Sequence, residues 1–173
     1  MAKLFGDHFE QAALVKLLAG GKFRYYDLSA GVDAGELVLL PSAKAFFNDA
    51  ADLALAVRAR DAAALDATLF VPSSGTYTSV DAVLGRGRAL VNFTINTAHQ
   101  LKLMHTTRCG EGAAPVAVAL ERGNAFDFYW VLPPERYDAA CKRRKPFPVV
   151  FPQRPNDNAP LPAVRQFAVC IDF

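Results

Sequence analysis

Two apolar, β-prone runs separated by three residues constrain this chain more than any other feature. Residues 80–84 and 88–96 flank Gly85-Arg86-Gly87. Glycine supplies the positive φ that short connections demand, so the pattern predicts a β-hairpin. Pairing Leu84 with Arg88 or Ala89 sets Asp81, at the start of the first strand, roughly opposite Asn92. Asn92 and Thr94 lie two apart on the second strand and share a face. A carboxylate facing an amide and a hydroxyl can hold a hard divalent cation, because such ions take oxygen ligands. The same residues equally suit the polar, solvated face of a hairpin.

Other segments supply what such a hairpin would pack against. Asp7 with Glu10 three residues on makes a capping box, and Phe9, Ala13 and Leu17 follow on one face. A helix over 7–19 is expected, stopped by Gly20-Gly21. Residues 23–28 and 36–40 read as strands. The Ala-rich stretch 43–67 is ambiguous and is assigned one or two short helices. Residues 68–71 read as a strand. A second capping box, Thr97 with Gln100, opens an expected helix over 97–108. Residues 126–132 form an aromatic strand whose Phe126, Phe128 and Trp130 read as core. Pro134 starts a helix over 134–145, the Pro-rich stretch 146–162 reads as loop or extended edge, and 164–173 as a closing strand. Helices interspersed with strands and a hairpin give an α/β (α+β) domain with a mixed sheet, one domain over 1–173.

Further residues could carry chemistry. Glu10 is a second carboxylate of interest, although the capping box explains a Glu there. His99 and Lys102, three apart, would share one face of the helix after the hairpin, where a cation and a helix N-terminus can meet phosphate. That face could equally be solvated. Lys142-Arg143-Arg144-Lys145 fits a nuclear import signal, a phosphate-contacting patch, or cations suited to a helix C-terminus.

Composition excludes some classes. No apolar run approaches the roughly 18 residues of a membrane helix, so no membrane partner is expected. Cys109, Cys141 and Cys170 are odd in number and far apart. No zinc or redox spacing results, and a reducing compartment is the default expectation. The N-terminus lacks the long apolar segment of a secretory leader. The net charge of +2 hides an asymmetry: residues 1–80 carry −2 and residues 81–173 carry +4. Between Asp81 and Glu111 stand Arg86, Arg88, Lys102 and Arg108 with no acidic residue. These four are the candidate nucleic-acid contacts.

Several motifs then fall in one order. They are Gly6-Asp7-His8-Phe9-Glu10, Gly20-Gly21-Lys22-Phe23, Phe70-Val71-Pro72-Ser73, Val80-Asp81, Val91-Asn92-Phe93-Thr94-Ile95, His99, Phe128-Tyr129-Trp130-Val131-Leu132-Pro133 and Arg165-Gln166-Phe167-Ala168-Val169. Together they resemble the nuclease-like domain shared by Crinkler effectors and retrotransposon hot spot proteins, over nearly the whole chain. The resemblance implies a restriction-endonuclease-like fold of the PD-(D/E)XK superfamily, binding nucleic acid and hydrolysing phosphodiesters with Mg²⁺. It implies Glu10 and Asp81 as metal ligands, with Asn92 at the acid or Gln position and Thr94 at the Lys position. Asn92 is shorter than the family's residue, and Thr94 carries no cation. His99 or Lys102 would have to substitute. The alternative implied by those departures is a catalytically inactive effector module that binds nucleic acid or protein. The resemblance points to a nucleus, the host nucleus for a secreted effector, with Lys142 to Lys145 as the import candidate, and otherwise to the cytoplasm.

Overall fold

The computed structural model describes residues 2–73, 80–85, 89–96, 100–102, 125–150 and 163–173. Its centre is an eight-stranded mixed sheet in the order β2-β1-β10-β8-β6-β5-β4-β3. The strands are β1 Gly21–Asp27, β2 Val32–Leu39, β3 Ala43–Phe47, β4 Thr68–Pro72, β5 Ala82–Leu84, β6 Ala89–Phe93, β8 Ala125–Leu132 and β10 Ala163–Cys170. A separate parallel pair joins β7 Leu101–Lys102 to β9 Val149–Val150. The described helices are α1 Ala2–Ala19, α2 Ala50–Arg58, α3 Ala62–Asp66 and α4 Pro134–Arg143. The expected α/β class with a mixed sheet is present.

The middle of the sheet runs parallel. β8 pairs in parallel with β10 along all eight residues and with β6 from Leu90↔Phe128 to Phe93↔Val131. β4, β5 and β6 form an antiparallel meander beside it. Strands paired on both edges and covered on both faces must be apolar on both sides. β6 meets this with Ala89, Leu90, Val91 and Phe93, all buried. The antiparallel pairing expected of the two hairpin strands is present, with Leu84 opposite Ala89.

Each face of the sheet carries its own core. On one side α1 lays Phe9, Ala13, Leu14 and Leu17 over Leu69, Val91, Phe93, Val131 and Val169. On the other, α2, α3 and α4 contribute Leu53, Val57, Leu65, Tyr137 and Ala140 over Phe70, Leu90, Phe128, Trp130 and Ala168. α2 and α3 are started by side-chain caps: Asp49 accepts from Asp52 N–H at 2.8 Å, and Asp61 from Ala64 N–H at 2.8 Å. Gly20 stops α1 at φ +72°, where a Cβ would lie 2.6 Å from Pro41 N.

Several expectations are corrected. α1 begins at Ala2, so Asp7 lies inside the helix and cannot cap it. Residues 43–47 form a strand, not a helix, because β4 offers Ala43–Phe47 a parallel edge. The helix expected over 97–108 is absent at Leu101–Lys102, which form β7. Leu101 is fully buried and its N–H donates to Pro148 carbonyl at 2.9 Å, so pairing and burial outweigh the local capping signal. Gly85 does not adopt positive φ. Its place requires glycine because a Cβ would run into the Leu65 and Thr68 carbonyls.

One buried polar knot ties the sheet to the chain that follows α4. Gln166 Oε1 accepts from Trp130 Nε1–H at 2.7 Å and from Phe147 N–H at 3.0 Å, and its Nε2–H donates to Phe147 carbonyl at 3.0 Å. The Trp130 and Phe147 rings stack with centroids 4.3 Å apart. Gln166→Leu keeps the volume but strands three buried polar groups, each costing about 1–3 kcal/mol. Denaturant unfolding followed by the fluorescence of Trp130, the single tryptophan, is expected to show a loss on the order of 4 kcal/mol. A loss below about 1 kcal/mol would mean the knot contributes no more than an ordinary surface contact.

Candidate functional site

The antiparallel register Ala82↔Val91 brings Asp81, just before β5, to the end of β6. There Asp81 N–H donates to the Val91 carbonyl at 2.9 Å, and its Oδ2 accepts from Phe93 N–H at 2.8 Å. A side-chain carboxylate thus fills the place that the backbone of a longer β5 would take. This bond holds the carboxyl close to the sheet plane, at the edge where β6 ends.

Glu10 approaches from α1. It lies three, four and seven residues before Ala13, Leu14 and Leu17, which are buried against the sheet. Helical spacing therefore sets Glu10 on the sheet-facing side. Since α1 starts eight residues earlier in the chain, the capping box does not explain Glu10. Both carboxyls resist ionisation. Burial, then the charge of Asp7, raises the pKa of Glu10. Burial pushes Asp81 up to about 7, against the downward pull of its bond from Phe93 N–H, and the charge of Glu10 adds to the rise. Asp81 retains some solvent-accessible surface, but protein closely surrounds its carboxyl. The sequence candidates Glu10 and Asp81 are thus brought within electrostatic reach of one another.

The other candidates are placed differently. Along β6, Ala89, Val91 and Phe93 belong to the α1 core and Leu90 to the opposite core. Asn92 follows Leu90 in this alternation and pairs with Trp130 of that opposite core. It is 3% exposed, and its Oδ1 has no hydrogen-bond partner among the described residues. Thr94 Oγ1 accepts from Asn96 N–H at 3.0 Å and is spent on a local turn. The β6 residues on the α1 side, beside Glu10 and Asp81, are Val91 and Phe93.

A three-ligand Mg²⁺ site of Glu10, Asp81 and Asn92 is therefore not matched by this arrangement. Glu10 and Asp81 are hard oxygen donors, but Asn92 stands across the sheet from them. Among the described residues no three His, Cys, Asp or Glu gather into a metal-holding group. Lys102 lies in a strand, so its pairing with His99 on a helix face does not hold. His99, Arg86, Arg88 and Arg108 lie outside the described residues. Lys142 and Arg143 occupy the last turn of α4, where cations suit the helix dipole. Arg144 ends the helix at φ 52°, and the four basic residues are exposed. The Arg143 guanidinium sits 4.7 Å from the centroid of the Phe147 ring. No described helix is long and apolar enough to cross a membrane.

One feature is not signalled by any motif. A cavity of about 460 Å³ lies at the same sheet edge, walled by Phe9, Ala12, Ile95, Pro133 and Phe173. Its lining comes from four separate elements, so only the strand ends, each followed by a bulky apolar residue, could have hinted at it.

The raised pKa of Asp81 sets a pH dependence. The unfolded carboxyl ionises near its ordinary 3.8 and the folded one near 7, so between these values the native state holds a proton the unfolded state lacks. Stability is therefore full below about pH 4 and falls as pH rises toward 7, by at most on the order of 4 kcal/mol. Asp81→Asn can still accept from Phe93 N–H and removes the titration. Urea midpoints across pH 4.5 to 7.5 are expected to fall in the wild type and to lose most of that slope in Asp81→Asn. Equal slopes in the two proteins would place the dependence elsewhere. The chain matches no family model, no curated protein and no solved structure.

Proposed function

We propose that the chain is a nuclease-like domain of the Crinkler and retrotransposon hot spot type that binds nucleic acid without cutting it. Its topology is compatible with a restriction-endonuclease-like core: α1, then the β4–β5–β6 meander, then a crossover to β8 parallel to β6. Glu10 and Asp81 are the acidic residues at the positions the family resemblance marks. The observation that carries the inactive reading is the composition of β6 beside them. Val91 and Phe93 face the pair, while Asn92 lies on the opposite side of β6 and Thr94 Oγ1 is taken up by Asn96 N–H. Phosphodiester cleavage of this kind needs a cation to orient water and to offset charge developing on phosphate. Two aliphatic and aromatic side chains supply neither.

What the pair retains is a capacity for binding. Two carboxylates can hold Mg²⁺ together with water and a phosphate oxygen, the usual way Mg²⁺ is bound at phosphate sites. The positive half of the chain, +4 over residues 81–173, offers cations for the backbone of a polyanion.

Fluorescence anisotropy with labelled single-stranded DNA and RNA is expected to show binding that weakens as salt is raised. Plasmid and RNA incubated with the protein in Mg²⁺ or Mn²⁺ are expected to stay intact. Nicking that disappears in Asp81→Ala would overturn the inactive reading. Flat curves with both nucleic acids at low salt would overturn the nucleic-acid reading and leave a protein partner.

A further inference from the structure

The parallel strands β6, β8 and β10 end at one edge of the sheet. Ile95 lies two residues past β6, Pro133 one past β8, and Phe173 three past β10. With Phe9 of α1 they wall the cavity of about 460 Å³, and His8, Glu135 and Arg136 rim it. Crevices outside the carboxyl ends of parallel strands are where open α/β sheets take ligands. The volume falls in the range of about 300–1,000 Å³ typical of small-ligand sites. Phe9 precedes Glu10 in α1, and Asp81 is bonded to Phe93, two residues before Ile95. The cavity and the carboxylate pair therefore share one edge of the sheet.

The walls are apolar and the rim is polar. Phe9 is buried, and Phe173 meets it edge to face at 5.9 Å and 86°. Phe173 is 71% exposed, so an aromatic ring is anchored by one contact while much of its surface remains in water. A purely aliphatic ligand would leave His8, Glu135 and Arg136 unused. A flat heterocycle with apolar faces and a hydrogen-bonding edge uses both kinds of surface. The Arg136 guanidinium adds a fork suited to a phosphate oxygen.

We propose that this cavity is a nucleobase-stacking subsite, in which Phe173 stacks on a base of a single-stranded nucleic acid and Arg136 meets an adjoining phosphate. The proposal rests on the nucleic-acid reading above and names the part of the ligand that the edge receives. It makes Phe173 and Arg136 binding residues in addition to those the motifs mark.

The test compares a labelled single-stranded oligonucleotide with an abasic oligomer of equal length, and with AMP. The full chain is expected to bind the base-bearing strand more tightly than the abasic one. Phe173→Ala is expected to weaken the base-bearing strand by about tenfold, within the range for loss of one stacking ring, and to leave the abasic strand unchanged. Phe173→Trp restores the difference. Arg136→Gln weakens both strands alike. Equal binding of the base-bearing strand by wild type and Phe173→Ala overturns the subsite while the nucleic-acid reading stands. Binding of AMP that depends on Phe173, with no binding of either strand, keeps a base pocket but overturns its assignment to nucleic acid. No binding of any of the three overturns both.

Discussion

Everything at the candidate site depends on β8 being hydrogen-bonded along both edges by parallel strands. Parallel neighbours cannot be joined by tight turns, so each must leave the sheet and return by a crossover. The consequence is geometric: β6, β8 and β10 all end at the same edge. β8 can occupy this position because one of its faces is wholly apolar, while the other sets Tyr129 and Val131 beside an Asp127 that accepts from Arg165 of β10. Phe126, Phe128, Trp130 and Leu132 enter one core and Val131 the other. The polar demand that Trp130 brings into the first core, its indole N–H, is met inside the sheet by Gln166 of β10. That same glutamine fixes Phe147 beyond α4, so the chain following the helix is held to the centre of the sheet rather than to its surface.

The edge thus created carries an electrostatic cost at Asp81. β5 is three residues long, and it stops before it can pair the last N–H of β6. A carboxylate completes the pairing in its place. The bond favours the ionised form, but the burial needed to make the bond favours the neutral one, and burial is the larger effect. Glu10, placed by helical spacing above the same edge, tips the balance further. The unusual pKa therefore follows from strand length and helix register.

How far the sequence could show this varies by element. β8 and β10, the hairpin of β5 and β6, and α4 were legible because alternation, glycine and Pro134 are strong local signals. β3 was not, since Ala43–Phe47 has no strand pattern of its own and becomes a strand only through β4. Asp7 and Glu10 make a start signal locally, yet the helix extends beyond them to Ala2. The site shows the limit most clearly. The two-residue period groups Asn92 with Thr94, but it does not tell which side of β6 lies against α1. Simple pairing groups Asp81 with them. Val80 and Ala82, two residues apart, belong to opposite cores, so the regular alternation breaks at Asp81. An irregularity of that kind re-aims one side chain, and it has no signature in composition or spacing.

The separation of Asp81 from Asn92 also bears on how this edge could meet a polyanion. Two ionised carboxylates at one place repel phosphate, and a cation between them is the usual remedy. With Asn92 across the sheet, the pair offers that cation two protein ligands rather than three. The raised pKa supplies another. With Asp81 titrating near 7, a proton does at neutral pH part of what a metal would otherwise have to do, and the pair carries fewer than two charges. Protonated Asp81 still presents an oxygen to Phe93 N–H, so the end of β6 stays closed while its charge is removed. A proton serves a surface that holds a phosphate, but it cannot position a nucleophile or absorb charge in a pentavalent transition state. The apolar neighbours Val91 and Phe93, which strengthen the burial that raises this pKa, are thus the same residues that weigh against cleavage chemistry.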